Sequence, residues 1–198
     1  MTMSTKKKTW IIVGVVVSIL TIWMISAYNG MVSAEEGVSS AWSQVENVYQ
    51  RRADLIPNLV NTVKGYAAHE TSTFTEIVNA RAKATQITVD PSNLSPEEIA
   101  KFNDAQGELG TALGKLLAIT EAYPDLKANQ NFLELQAQLE GTENRIATER
   151  KKFNEAAQAY NVKIRKFPNS ILSSMFGFEK KGYFEAQAGA DKAPEVQF

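Results

Sequence analysis

Residues 51–60 read RRADLIPNLV, two arginines and an aspartate running into an apolar stretch with Pro57 in its middle. Proline has no N–H to donate and crowds the carbonyl four residues back, so within a helix it removes a bond and bends the axis. Whether the chain stays helical there decides the fold. Trp42, Val45, Tyr49, Ala53, Ile56, Val60, Val63 and Ala67 follow one another in steps of three and four, and Phe74 and Ile77 continue the stripe. That spacing marks one buried helix face, and a loop at the proline would have destroyed its phase. The pattern predicts a kinked continuous helix from about Glu35 to about Ala84, on the order of 75 Å long.

The charges beside the kink read as compensation for the missing bond. Arg51 and Arg52 lie where freed carbonyls carry partial negative charge, and Asp54 is placed to accept from the N–H of Ile56 as a local cap. Far along the chain, Asn144, Asn154 and Asn161 are poor helix formers within a strong helical pattern. Either they are exposed and inconsequential, or with Glu143 they hydrogen-bond to the kinked region, where Arg51, Arg52 and Asn58 need partners.

Working toward the N-terminus, Lys6, Lys7 and Lys8 precede a run without charge that lasts until Glu35. Within it Trp10 to Ala27 (WIIVGVVVSILTIWMISA) is 18 mostly apolar residues, about 27 Å as a helix against a hydrocarbon core of roughly 30 Å. Trp10 and Trp23 sit near its ends, where indoles favour the membrane interface, and the lysines hold the N-terminus in the cytoplasm. A cleaved signal peptide is the competing reading, since Val32-Ser33-Ala34 offers small residues for cleavage. The apolar run exceeds the usual h-region, which favours a retained anchor.

Working toward the C-terminus, residues 85–93 (TQITVDPSN) read as a connecting loop. Ser95-Pro96-Glu97-Glu98 is a capping box that starts a second helix at Pro96, which Tyr123-Pro124-Asp125 ends. A third helix runs from about Leu126 to Arg165, with Phe132, Leu139, Ile146, Phe153 and Tyr160 spaced strictly by seven, a pattern suited to near-parallel packing. Phe167-Pro168-Asn169 stops it, and residues 170–178 (SILSSMFGF) form a short amphipathic helix or turn. Tyr183-Phe184 is a further aromatic pair, and residues 186–198 (AQAGADKAPEVQF) are expected to be extended or mobile. The fold class is all-α: an N-terminal transmembrane helix, then an elongated antiparallel three- to four-helix bundle. The divisions are a basic N-terminus over 1–8, the anchor over 9–28, the bundle over 35–178 and an extended tail over 179–198.

Composition narrows the function. Beyond residue 34 there are 18 basic against 22 acidic residues, so no basic stripe for nucleic acid is present. Cysteine is absent, which excludes disulfides, thiolate metal sites and a cysteine nucleophile. His69 is the one histidine, and Thr73 stands where a zincin would need the second. Gly107, Gly110 and Gly114 match no phosphate-binding loop, and Glu140 and Glu143 lack the Glu-x-x-His elements of a di-metal bundle. No catalytic residue, cofactor or metal is expected.

The segments YNGMV (28–32), QRRADLIPNLVNTVKGYAAHE (50–70), NFLELQAQLEGTENRIATERKKFNEAAQAYN (131–161), KFPNSILSSMFGF (166–178) and YFEA (183–186) resemble the LemA family of bacterial membrane proteins. The resemblance implies one N-terminal membrane helix, a helical bundle and no established enzymatic activity. It also implies envelope proteins, protease or quality-control systems among them, as partners. The expected function is a non-enzymatic, membrane-anchored scaffold of the cytoplasmic membrane, with its helical domain outside the cytoplasm and self-associating. The alternative is a sensor or ligand-binding bundle acting through a partner membrane protein.

Overall fold

A computed structural model of the chain describes residues 5–185. Among them the structure is all-helical: α1 (Thr5–Lys64), α2 (Thr71–Gln86), α3 (Pro96–Thr120), α4 (Pro124–Lys127), α5 (Gln130–Arg165) and α6 (Asn169–Phe176). Of the tail expected over 179–198, residues 186–198 lie outside the described residues, as do residues 1–4, while Lys181, Gly182 and Phe184 are buried against the helices, so the described part is not a free tail.

α1 is 60 residues, about 90 Å of unbroken helix. From Trp10 to Ile25 its apolar side chains are exposed on every side, Trp10 and Trp23 included. From Met31 onward one face is buried, Val38, Trp42, Val45, Tyr49, Ala53, Ile56, Val60 and Val63, widened beside Pro57 by Leu55 and Leu59. Anchor and first bundle helix are thus one helix, with no joint at 28 or 35. It is the one described helix long and apolar enough to cross a membrane, which suggests membrane anchoring.

The helix carries Pro57 inside it, as the unbroken stripe requires, but it stops short of Ala84. It ends at Lys64, a turn closed by Tyr66 and Ala67 N–H groups on the Val63 carbonyl follows, and α2 begins at Thr71. The stripe misled because Ala67, within the turn, is itself buried. Apolar spacing therefore runs across a break in the helix.

Downstream, Ser95 Oγ accepts from the Glu98 N–H at 3.3 Å and Pro96 opens α3. The Glu98 carboxylate takes Lys101 Nζ at 2.7 Å instead of reaching back. Pro124 starts the single turn of α4, and Asn129 caps α5 by accepting from the Phe132 N–H at 3.0 Å, so that helix begins a turn later than Leu126. Gly177, at φ +75°, closes α6 in the left-handed conformation that glycine adopts without strain.

α5 lies antiparallel along α1: Lys163 reaches Gly30, Glu143 reaches Arg52 and Gln138 reaches Arg51. α2 packs chiefly on α3. The seven-spaced residues Phe132, Leu139, Ile146, Phe153 and Tyr160 are all buried within the chain. Among the described residues the core has two apolar clusters. One joins Met31 to Tyr49 of α1 with Phe102, Ile146, Phe153 and Tyr160, and the other joins Ile56 to Val63 with Ile77, Leu109, Phe132 and Leu139.

Candidate functional site

The bond that Pro57 cannot make belongs to the carbonyl of Ala53, four residues back and buried. Arg81 of α2 donates its Nε–H to that oxygen at 2.8 Å. The compensating guanidinium therefore comes from another helix, not from Arg51 or Arg52. Helix carbonyls point toward the C-terminus while side chains lean toward the N-terminus, so residues just before the freed carbonyl are badly placed to reach it. Arg51 is exposed and bonds Gln138 Oε1 at 3.0 Å. Asp54 accepts from Gln50 Nε2 at 2.8 Å, and the carbonyl of exposed Asn58 takes Thr62 Oγ1 at 2.9 Å. A double-mutant cycle checks the Arg81 assignment. Arg81→Met should cost about 1–3 kcal/mol by stranding a buried acceptor, and much less in a Pro57→Ala background that restores a backbone donor. Additive costs in denaturant melts would show that the Ala53 carbonyl is not the link.

Arg52 does something else. It is 4% exposed and sits between the two apolar clusters, one turn after Tyr49 and one turn before Ile56. One terminal nitrogen donates to Glu143 Oε1 and Oε2 at 3.1 and 3.4 Å, and the other to the Gln106 carbonyl at 3.1 Å and Gln106 Oε1 at 2.5 Å. Gln106 Nε2 continues to the Ala84 carbonyl at 3.3 Å, and the guanidinium carbon lies 4.9 Å from the Tyr49 ring centre. This polar layer ties α1, α2, α3 and α5 together at one level. Asn144, next to Glu143, is exposed, and its carbonyl accepts from Thr148 Oγ1.

The other two asparagines serve a different strand of chain. After α6 the chain runs without helix past Lys181, Gly182 and Phe184, all buried. Asn161 Oδ1 and Nδ2 take the N–H and carbonyl of Lys181, each at 2.9 Å. Asn154, seven residues earlier, takes the N–H and carbonyl of Phe184 at 2.8 and 2.9 Å. Two side-chain amides on α5 thus stand in for a neighbouring strand, satisfying backbone groups that burial would otherwise strand. Gly182 donates to the Leu94 carbonyl at 2.8 Å, and any Cβ there would lie 2.8 Å from Pro96 Cα. Lys181 is buried with Nζ on Glu35 Oε1 at 2.7 Å and on the Ser92 carbonyl at 3.0 Å. Sequence reading flagged these asparagines as out of place but not their partner, because a short extended segment carries no helical period.

The profile of the LemA family matches residues 41–198, which hold both the Arg52 layer and the clamped segment. The chain belongs to the LemA family. Among its relatives, magnetosome protein MamQ 2 of Paramagnetospirillum magneticum is 30% identical, aligned over 91% of this chain and 72% of its own length. MamQ of Magnetospirillum gryphiswaldense is 30% identical over 85% of this chain and 68% of its own. Protein LemA of Metamycoplasma hominis is 24% identical over 80% and 68%.

The chemistry available in this LemA-family chain is limited by where its polar groups are spent. Burial raises the Tyr49 phenol, with the positive charges of Arg150 and Arg52 opposing, and burial followed by the Glu35 charge raises Tyr160 further. Both phenols stay protonated at neutral pH. Burial also raises the Glu46 carboxyl. Among the described residues no three histidine, aspartate or glutamate side chains gather as a metal site. Two open clefts flank the clamped segment, one of about 740 Å³ along α5 beside Arg150, Asn154 and Phe184, the other of about 890 Å³ along α3 beside Asn103, Gly107 and Gly182.

Proposed function

We propose that this protein is a membrane-anchored, non-catalytic scaffold whose elongated antiparallel helical bundle stands outside the cytoplasmic membrane and associates with copies of itself and with envelope proteins. The observation that carries the reading is α1, which passes from a fully exposed apolar span into the centre of the core without a joint. A helix of that kind fixes the distance of the domain from the span, which suits presentation more than turnover. Lys6 to Lys8 support a cytoplasmic N-terminus. The seven-spaced face of α5 is consumed within the chain, so contacts between copies fall to outer surfaces.

Crosslinking in intact membranes followed by mass spectrometry tests the proposal. The expected result is crosslinks between copies and to envelope proteins from lysines of the helical domain. Only intramolecular links, together with a strict monomer by light scattering in detergent at high concentration, would reject self-association. The two clefts beside residues 180–185 favour one second reading, a ligand-binding bundle that signals through a partner membrane protein.

A further inference from the structure

The end of the domain nearest the apolar span carries an unpartnered apolar surface. Phe167 is 82% exposed, Met175 68% and Ile171 55%. They belong to one short stretch, residues 167–176, in which Leu172 and Ser173 face inward and α6 presents Ile171 and Met175 on the opposite side. Three bulky apolar side chains this exposed within nine residues are unusual on a surface that meets only water.

Where this patch sits relative to α1 identifies what covers it. Phe176 and Phe178 pack edge-on against Tyr28, with ring centres 5.0 and 5.7 Å away. Tyr28 immediately follows the apolar run that ends at Ala27, and one residue of helix is about 1.5 Å of rise. α6 is therefore level with the point where the span leaves hydrocarbon. Lys163 Nζ, bonded to the Gly30 carbonyl at 2.6 Å, fixes the end of α5 at the same height. Arg165 and Lys166, both exposed, directly precede Phe167, so cations lie beside the aromatic that projects most.

We propose that α6 and Phe167 form an interfacial foot that inserts into the headgroup layer of the leaflet from which the helical domain emerges, with Arg165 and Lys166 on lipid phosphates. Apolar side chains of a surface-lying helix bury roughly 5–10 Å into that layer, and long basic side chains keep their charge at its phosphates. The foot gives α1 a second attachment and thereby restricts tilt of the whole domain. It rests on the reading of residues 9–28 as a membrane anchor.

The absence of cysteine makes any introduced thiol unique. Nitroxide labels on Ile171→Cys, Met175→Cys, Val16→Cys and Val78→Cys, in the full chain reconstituted into phosphatidylglycerol and phosphatidylethanolamine vesicles, are compared for collision with oxygen and with a water-soluble nickel chelate. Val78 is exposed on α2, which packs on the far half of α1 roughly 40 Å above Tyr28, and serves as the aqueous reference. The expected result is an oxygen-to-nickel collision ratio several-fold higher at 171 and 175 than at 78, and highest at 16. Ratios at 171 and 175 equal to that at 78, with 16 in lipid, overturn the foot and leave the anchor standing. Protection from both reagents at 171 and 175 points to a protein contact and also overturns it. An aqueous ratio at 16 overturns the anchor and the foot with it.

Discussion

Phe184→Ala is expected to destabilise the helical domain by about 3–5 kcal/mol, the range for truncating a buried phenylalanine. Phe184 lies outside every helix, yet its ring stacks on Trp42 at 5.9 Å and meets Phe153 edge-on at 5.4 Å and Phe102 at 6.3 Å. Arg150 covers it at 4.7 Å and donates to the Glu185 carbonyl at 2.9 Å. Each aromatic pair adds about 0.5–1.5 kcal/mol beyond burial. In a chain of this size the loss corresponds to roughly 6–20 °C in Tm, read by circular dichroism of the full chain in detergent. Val78→Ala, at an exposed position, should stay within about 0.5 kcal/mol. If the two variants melt together, the segment after α6 is not part of the core.

That expectation departs from a reading of residues 179–198 as a tail, and the reason is physical. Helical spacing makes α1, α3 and α5 legible because each buries a stripe over many turns. Phe167-Pro168-Asn169 and Ser95-Pro96 mark ends for the same local reasons, through backbone donors and caps. Nothing local marks Lys181 to Phe184 as buried. Their backbone groups are satisfied by Asn154 and Asn161, and such pairing across about 20 to 30 residues depends on how α5 turns back into α6. Arg81 is similar: Pro57 announces that the Ala53 carbonyl lacks a donor, but which side chain supplies one follows from the turn at residues 65–70 that brings α2 alongside. Sequence shows where a demand exists; tertiary structure chooses what meets it.

Arg52→Ala should also cost about 3–5 kcal/mol, because it empties the space of a buried side chain and leaves the Gln106 amide oxygen and carbonyl without their donor. The two ends of the Arg52–Glu143 pair are unequal. Arg52 is 4% exposed and Glu143 45%, so a stranded Glu143 can rehydrate, whereas a stranded Arg52 cannot. Glu143→Ala leaves the buried Arg52 charge with Gln106 alone and should therefore cost at least as much as Arg52→Ala, about 3–5 kcal/mol. Replacing the buried layer by apolar side chains of similar size, Arg52→Met with Gln106→Leu, should recover most of the loss, since well-packed hydrophobes often match a buried ion pair in stability. What the layer contributes is then alignment. Apolar residues one turn above and below Arg52 on α1, Gln106 on α3 and Glu143 on α5 could pack against neighbours shifted by a turn, but the Arg52 donors meet Gln106 and Glu143 at one level only. Thermal melts give the ordering. Hydrogen exchange at amides of α3 and α5 tests alignment, with faster exchange expected in the double variant despite its recovered Tm. Equal melting of Arg52→Ala and the native chain would remove the layer from any account of stability, and unchanged exchange in the double variant would remove it from any account of register.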